Sequence, residues 1–123
     1  GRGGRVIGNT RAGSHRVLPM YGAVSAAKAA MESYCRQMAF ELAPWEITVN
    51  AIRAGVTDTP ALRKIPGNDV LIENAMSRNP FHRLTTPEDI ANAVKLLVRP
   101  EAGWINGSVI GIDGGEDSVD VSW

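Results

Sequence analysis

"FELAPWEITVNAIRAG", residues 40–55, contains the change of period that decides the fold. Up to Leu42 the pattern is helical: Met31, Tyr34, Cys35, Met38 and Leu42 fall on one apolar face of a helix expected over residues 21–42. Alanine and serine fill much of the remainder and permit close packing. Pro44 has no N–H, and its ring collides with the preceding turn, so the helix stops there. "EITVNAI" (46–52) then reads as a β-branched strand that runs into a glycine-containing loop, "RAGVTDTPAL".

On the amino-terminal side, "RVIGNT" (5–10) is a second apolar, β-branched run bounded by glycines, a candidate buried strand. "RAGSHRVLP" (11–19) carries turn residues and reads as a loop. On the carboxyl-terminal side, residues 60–82 are broken by Pro60, Pro66, Gly67 and Pro80 and read as irregular or weakly helical, in the manner of a loop over a site. "TTPEDIANAVKLLV" (85–98) has a clear helix start. Thr86 is the expected N-cap, Pro87 sits at the first helical position, and Glu88 and Asp89 face the positive end. Ile90, Val94, Leu97 and Val98 supply its expected buried stripe. Asn106-Gly107 marks a turn, "SVIGID" (108–113) a third strand, and "EDSVDVSW" an extended polar tail.

Strand, helix, strand, loop and helix, strand is βαβαβ, an α/β order that requires a parallel sheet with right-handed crossovers. Ligands of such sheets bind beyond the carboxyl ends of the strands. Three segments should therefore converge: Asn9-Thr10-Arg11, Ala54-Gly55-Val56-Thr57 and Asp113-Gly114-Gly115. Tyr21, which opens the long helix, belongs to the same end.

The bulk numbers set limits. The 123 residues suffice for one modest domain, and 44% apolar and 21% charged residues are ordinary for a soluble globular protein. Formal net charge is zero, which gives no reason to expect nucleic acid or an anionic membrane as partner. The apolar runs are too short to span a bilayer, and "GRGGRV" is no signal peptide. One cysteine, Cys35, excludes an internal disulfide, fits a reducing, cytoplasmic setting, and is expected to be a buried structural thiol. With two widely spaced histidines beside it, no metal-ligand cluster is expected. The missing initiator methionine and the early strand suggest a fragment.

Tyr21 and Lys28 are the candidate chemistry. Seven positions make about 700° of helix, so both lie on nearly one face, roughly 10 Å apart along the axis. The cation can hold one part of a ligand while the phenol meets a reacting carbonyl. A nearby positive charge favours the phenolate and makes the phenol a better proton donor. Alone, such a pair is more often a packed ring and a solvated amine; the three convergent segments raise its interest.

"YGAVSAAKAAMESYCRQMAFELAPWEITVNAIRAGVTDT" resembles the second half of the short-chain dehydrogenase/reductase family, and its Tyr, six residues, Lys resembles the enoyl-acyl-carrier-protein reductase branch. Ala54-Gly55, where ordinary members have Pro-Gly, points the same way, and "TPEDIANAVKLLV" and "INGSVIGIDGG" resemble the family's last helix and strand. The resemblance covers residues 5–115. It implies the carboxyl-terminal half of a Rossmann-like doubly wound sheet, one partial domain over residues 1–123, that lacks the glycine-rich dinucleotide loop. It implies NADH or NADPH as cofactor and a trans-2-enoyl thioester of acyl-carrier protein or CoA as substrate. Tyr21 would stabilise the enolate and Lys28 would hold the cofactor ribose. Gly55, Val56, Thr57 and Thr59 would lie along the cofactor. Residues 60–78 would cover the substrate, with Arg63 and Lys64 toward the acidic carrier, and dimers or tetramers are expected.

The chain also departs from the family. Thr10 stands where ordinary members have a catalytic serine; it is carried as a cofactor-site candidate without an assigned role. Arg11 replaces a second tyrosine found in some enoyl reductases, ten residues before Tyr21, and His15 and Arg16 read as a solvated turn. Val24 occupies the tyrosine position of ordinary reductases, four before Lys28, which argues against 3-oxoacyl, ketone or alcohol substrates. A truncated, non-catalytic assembly module is the third reading.

Overall fold

A computed structural model describes residues 3–11 and 22–118, with the side chains of residues 11 and 22–25 outside the description. Strand β1 (Gly4–Arg11) leads to helix α1 (Gly22–Glu41) and strand β2 (Ile47–Ala54). Helices α2 (Pro60–Arg63), α3 (Asn68–Arg78) and α4 (Pro87–Leu97) follow, and then strand β3 (Val109–Ile112). The sheet is parallel, in the order β1-β2-β3, with Gly4 opposite Ile47, Arg11 opposite Ala54, and Ala54 opposite Ile112. This is the α/β arrangement the element order requires. The loop expected at residues 11–19 and Tyr21 lie outside the described residues, apart from the end of β1.

β2 is the centre of the sheet and its most continuously buried strand. Val49 and Ala51 are fully buried and Ile52 nearly so. Its one amide, Asn50, is accounted for: Nδ2 donates to the Ile105 carbonyl at 2.9 Å and Oδ1 accepts the Ser108 N–H at 3.0 Å. Asn106 and Gly107 form the expected turn. Asn106 accepts the Val49 N–H at 2.9 Å and donates to the Ala39 carbonyl at 3.1 Å, which ties β2 to α1. Gly107 sits at φ 74.

α1 packs on this sheet through Cys35 and Ala39 against Val49 and Ala51, with Met31, Met38 and Leu42 around them. Cys35 is buried, as its helical position suggests, and burial pushes its thiol up from the ordinary value. The helix crosses β1 at Gly8, where a Cβ would come within 2.9 Å of Cys35 Sγ. Tyr34, expected on the same apolar face, is instead 71% exposed. It lies about 60° round the helix from Met31 and so misses the sheet.

Three further expectations change. Residues 60–82 hold two helices, α2 and α3, with Leu62, Ile72 and Ala75 packed on Leu84 and Val56. Thr59 caps α2 by accepting the Leu62 N–H at 3.2 Å, and Gly67, at φ 77, opens α3. Val98 does not belong to the stripe of α4: it is the C-cap and 53% exposed, and Ala93 takes its place beside Leu97. The start of the polar tail is not extended, because Glu116–Ser118 form a 3-10 turn with Glu116 buried.

The start of α4 is as expected. Thr86 Oγ1 accepts the Asp89 N–H at 3.2 Å while the Asp89 carboxylate accepts the Thr86 N–H at 2.8 Å, a capping box. Arg83 adds two bonds to the same carboxylate, at 2.6 and 3.0 Å, and these bonds hold the Asp89 carboxyl well below its usual range. A carboxyl depressed in the folded state adds stability above its unfolded value, and that stability is lost as pH falls through the folded one. Asp89→Asn is therefore expected to melt below the wild type at pH 7, with the gap closing as pH drops below about 4. Thermal melts at pH 7, 4 and 2 read this directly. Among the described residues no helix is long and apolar enough to cross a membrane.

Candidate active site

The parallel register brings the ends of all three strands to one edge. Arg11 lies level with Ala54, Ala54 lies level with Ile112, and the Gly55 N–H reaches the Ile112 carbonyl at 3.3 Å. The three segments singled out in the sequence thus converge. Lys28, in the second turn of α1, is half-buried and donates one of its three N–H groups to the Asn9 carbonyl at 3.3 Å. The ammonium is therefore fixed over the carboxyl end of β1. Strand spacing and rise put that carbonyl roughly 11 Å from Gly55.

Thr10 is fully buried, and its hydroxyl donates to Glu32 Oε2 at 2.8 Å. Its proton is engaged inside the layer between β1 and α1, where it satisfies a carboxylate that is itself only 8% exposed. Tyr21 lies outside the described residues, so its distance to Lys28 is not part of the structure.

The turn after β2 is tightly built. A Cβ on Gly55 would stand 2.9 Å from Asp113 Cβ, 2.9 Å from Thr85 Oγ1 and 3.1 Å from Glu116 Oε2. Only glycine fits. Val56 donates its N–H to Glu116 Oε2 at 3.1 Å. Thr57 turns its hydroxyl back on the Gly55 carbonyl at 2.8 Å and pairs with Thr85 through a short parallel bridge. The Thr59 hydroxyl serves as the α2 cap.

The third segment closes the site from the other side. Asp113 accepts the Gly115 and Asp117 N–H groups at 2.9 and 3.2 Å, and its carbonyl accepts Asn79 Nδ2 at 2.9 Å. Gly114 and Gly115 take φ values of 65 and 88. Next to this turn lies an open cavity of about 360 Å³ lined by Asn79, Phe81, Arg83, Thr85, Asp113 and Gly114. Of the two basic residues expected to face a carrier protein, Arg63 is paired with Asp58 at 3.1 Å and Lys64 is exposed. Among the described residues no cluster could hold a metal ion.

Sequence reasoning passed over Glu32, Arg78, Asn79, Thr85 and Glu116. Each makes its contacts across a long stretch of chain, and a polar residue in a polar stretch gives no periodic signal. A carboxylate directly after a double glycine at a strand end was the one visible hint.

Residues 1–116 match the family described as enoyl-(acyl carrier protein) reductase. The chain is 35% identical over 115 residues to the enoyl-[acyl-carrier-protein] reductase [NADH] of Aquifex aeolicus, covering 94% of this chain and 43% of that protein. The solved structure of that reductase superposes with a TM-score of 0.87 at 33% identity, over 98% of this chain and 47% of the other. The 1-cyclohexenylcarbonyl-CoA reductase of Streptomyces collinus is 34% identical over 92% of this chain and 41% of its own length. The 3-oxoacyl-[acyl-carrier-protein] reductase of Thermotoga maritima is 38% identical over 91 residues, 74% of this chain and 36% of that protein. The chain spans less than half the length of each of these relatives.

Proposed function

This chain belongs to the enoyl-(acyl carrier protein) reductase family, within the short-chain dehydrogenase/reductases, and on that premise we propose that it carries the catalytic half of a nicotinamide-dependent reductase of trans-2-enoyl thioesters. NADH or NADPH is the cofactor, and a thioester of acyl-carrier protein or CoA is the substrate. The observation that carries the reading is the Lys28 ammonium bonded to the Asn9 carbonyl at the sheet edge that also holds the Gly55 turn, where only glycine fits.

When bound, the reduced nicotinamide supplies a hydride to the β-carbon of the enoyl group. Lys28 would use its remaining N–H donors on the ribose hydroxyls and lend its positive charge to the catalytic phenol. Tyr21 hydrogen-bonds the thioester oxygen and stabilises the negative charge that develops there. Gly55 to Thr59 form the wall along which the cofactor lies, and Thr10 supports the site from inside by holding Glu32 and the end of β1. Helices α2 and α3 form the covering segment over the acyl chain, with Arg63 and Lys64 on its outer surface toward the carrier. Such a reductase works as a dimer or tetramer.

A second reading is supported by the Thermotoga maritima relative: reduction of a 3-oxoacyl thioester. Val24 counts against it, since valine has no acidic proton to donate. The test is nicotinamide oxidation by the intact reading frame that encodes this segment, with a 2-enoyl and a 3-oxoacyl thioester side by side and Tyr21→Phe as control. Turnover of the enoyl substrate alone, lost in the control, is expected. Turnover of the oxo substrate favours the second reading, and enoyl activity that survives the control places the catalytic acid elsewhere than Tyr21. Oxidation of neither leaves a non-catalytic assembly module.

A further inference from the structure

Glu116 is a buried carboxylate to which the proposed reaction gives no role. It is 4% exposed, and it lies in the turn that follows β3. Its Oε2 accepts the Val56 N–H at 3.1 Å and stands 4.0 Å from Arg78 Nη2, at the carboxyl end of α3. Asp113 is the nearby like charge, and the pair Arg53–Asp117 lies alongside at 3.8 Å. Burial pushes the Glu116 carboxyl above the ordinary value, against the opposing pull of the Val56 N–H and the Arg78 charge. A buried carboxylate is costly to keep in a fold unless it is bonded, and this one accepts the Val56 N–H in the turn, with the Asn79 side chain and the Arg78 charge as its other partners. That amide belongs to the turn whose Gly55 leaves no room for a side chain.

Resting on the reductase reading above, we propose that Glu116 is a positioning residue for the cofactor: its Oε2 tethers the Val56 N–H and so holds the Gly55–Val56 backbone where the nicotinamide lies. The tether fixes a wall of the site and takes no part in hydride or proton transfer. It also joins the turn to α3 through Arg78, so the covering helix and the cofactor wall meet on one carboxylate. An acceptor is what the geometry requires, and glutamine supplies one at the same reach.

The experiment is a fluorescence titration of NADH and NADPH into the intact protein, its Glu116→Ala and its Glu116→Gln variants, at a temperature where circular dichroism shows all three folded. Losing a buried bond to a charged acceptor is expected to weaken cofactor binding about tenfold or more in Glu116→Ala. Glu116→Gln is expected to stay within about threefold of the wild type. Alanine binding as well as the wild type overturns the proposal, and so does glutamine binding as poorly as alanine. A wild type that binds neither nucleotide overturns the reductase reading itself and this proposal with it. If the alanine variant does not fold, amide hydrogen exchange in the wild type decides: slow exchange at Val56 is expected, and exchange at the rate of an open loop overturns the tether.

Discussion

Lys28→Met is expected to lower kcat/KM for a 2-enoyl thioester by about 10²–10³-fold in the intact protein, the usual effect of removing one fixed donor from a site where charge develops. Two losses combine. On the proposed mechanism the ribose would lose its cation, raising the KM for the cofactor, and Tyr21 would lose the charge that favours its anion, lowering kcat. Methionine keeps the length and apolar stem of the lysine. The fold loses only the bond to the Asn9 carbonyl, about 1 kcal/mol. Steady-state kinetics with a parallel melting curve separate the two effects. Unchanged kcat/KM in a folded variant would remove Lys28 from the mechanism.

Gly55→Ala is expected to lose cofactor binding and stability together. The new Cβ would approach Asp113 and Thr85 to 2.9 Å and Glu116 to 3.1 Å. None of the three is a loose end. Asp113 holds two backbone N–H groups, Thr85 is buried and bridged to Thr57, and Glu116 holds Val56. The turn itself must move, at a cost of about 1–3 kcal/mol. NADH binding is expected to fall tenfold or more as the wall shifts. Gly111→Ala is the control: the nearest atom to its Cβ is 3.8 Å away, in ordinary contact, so it is expected to bind and melt like the wild type. Urea denaturation and NADH titration of both variants check this. A Gly55→Ala protein as stable as the control would mean that the turn has slack the distances deny.

Much of the frame was legible because it is periodic or punctuated. Pro44 ends α1, the β-branched run of β2 is buried at Val49 and Ala51, and Thr86-Pro87 with Asp89 announces α4. Topology alone then placed Gly55 and Asp113 at one edge. α3 was hidden because only Ile72 and Ala75 are buried along it and Pro66-Gly67 stands before it. The support of the site was hidden for another reason. Thr10 meets Glu32, Val56 meets Glu116, and Asn79 meets Asp113, each across tens of residues. Such pairs are fixed by how the layers stack, and no local pattern predicts them. Thr10 shows the difference: its hydroxyl at a strand end could be read, but its buried carboxylate partner could not.

The register of the sheet has a kinetic consequence. Among the described residues no strand pairs with a near neighbour in sequence: residue 4 meets residue 47, and residue 51 meets residue 109. Each pairing must close a long loop before any contact rewards it, and parallel sheets of this kind assemble slowly. α1 and α4 can form within microseconds of local contacts alone. Pairing β2 with β3 closes the longer of the two loops, and the Asn50 amide, bonded to Ile105 and Ser108, is the clasp that holds it shut.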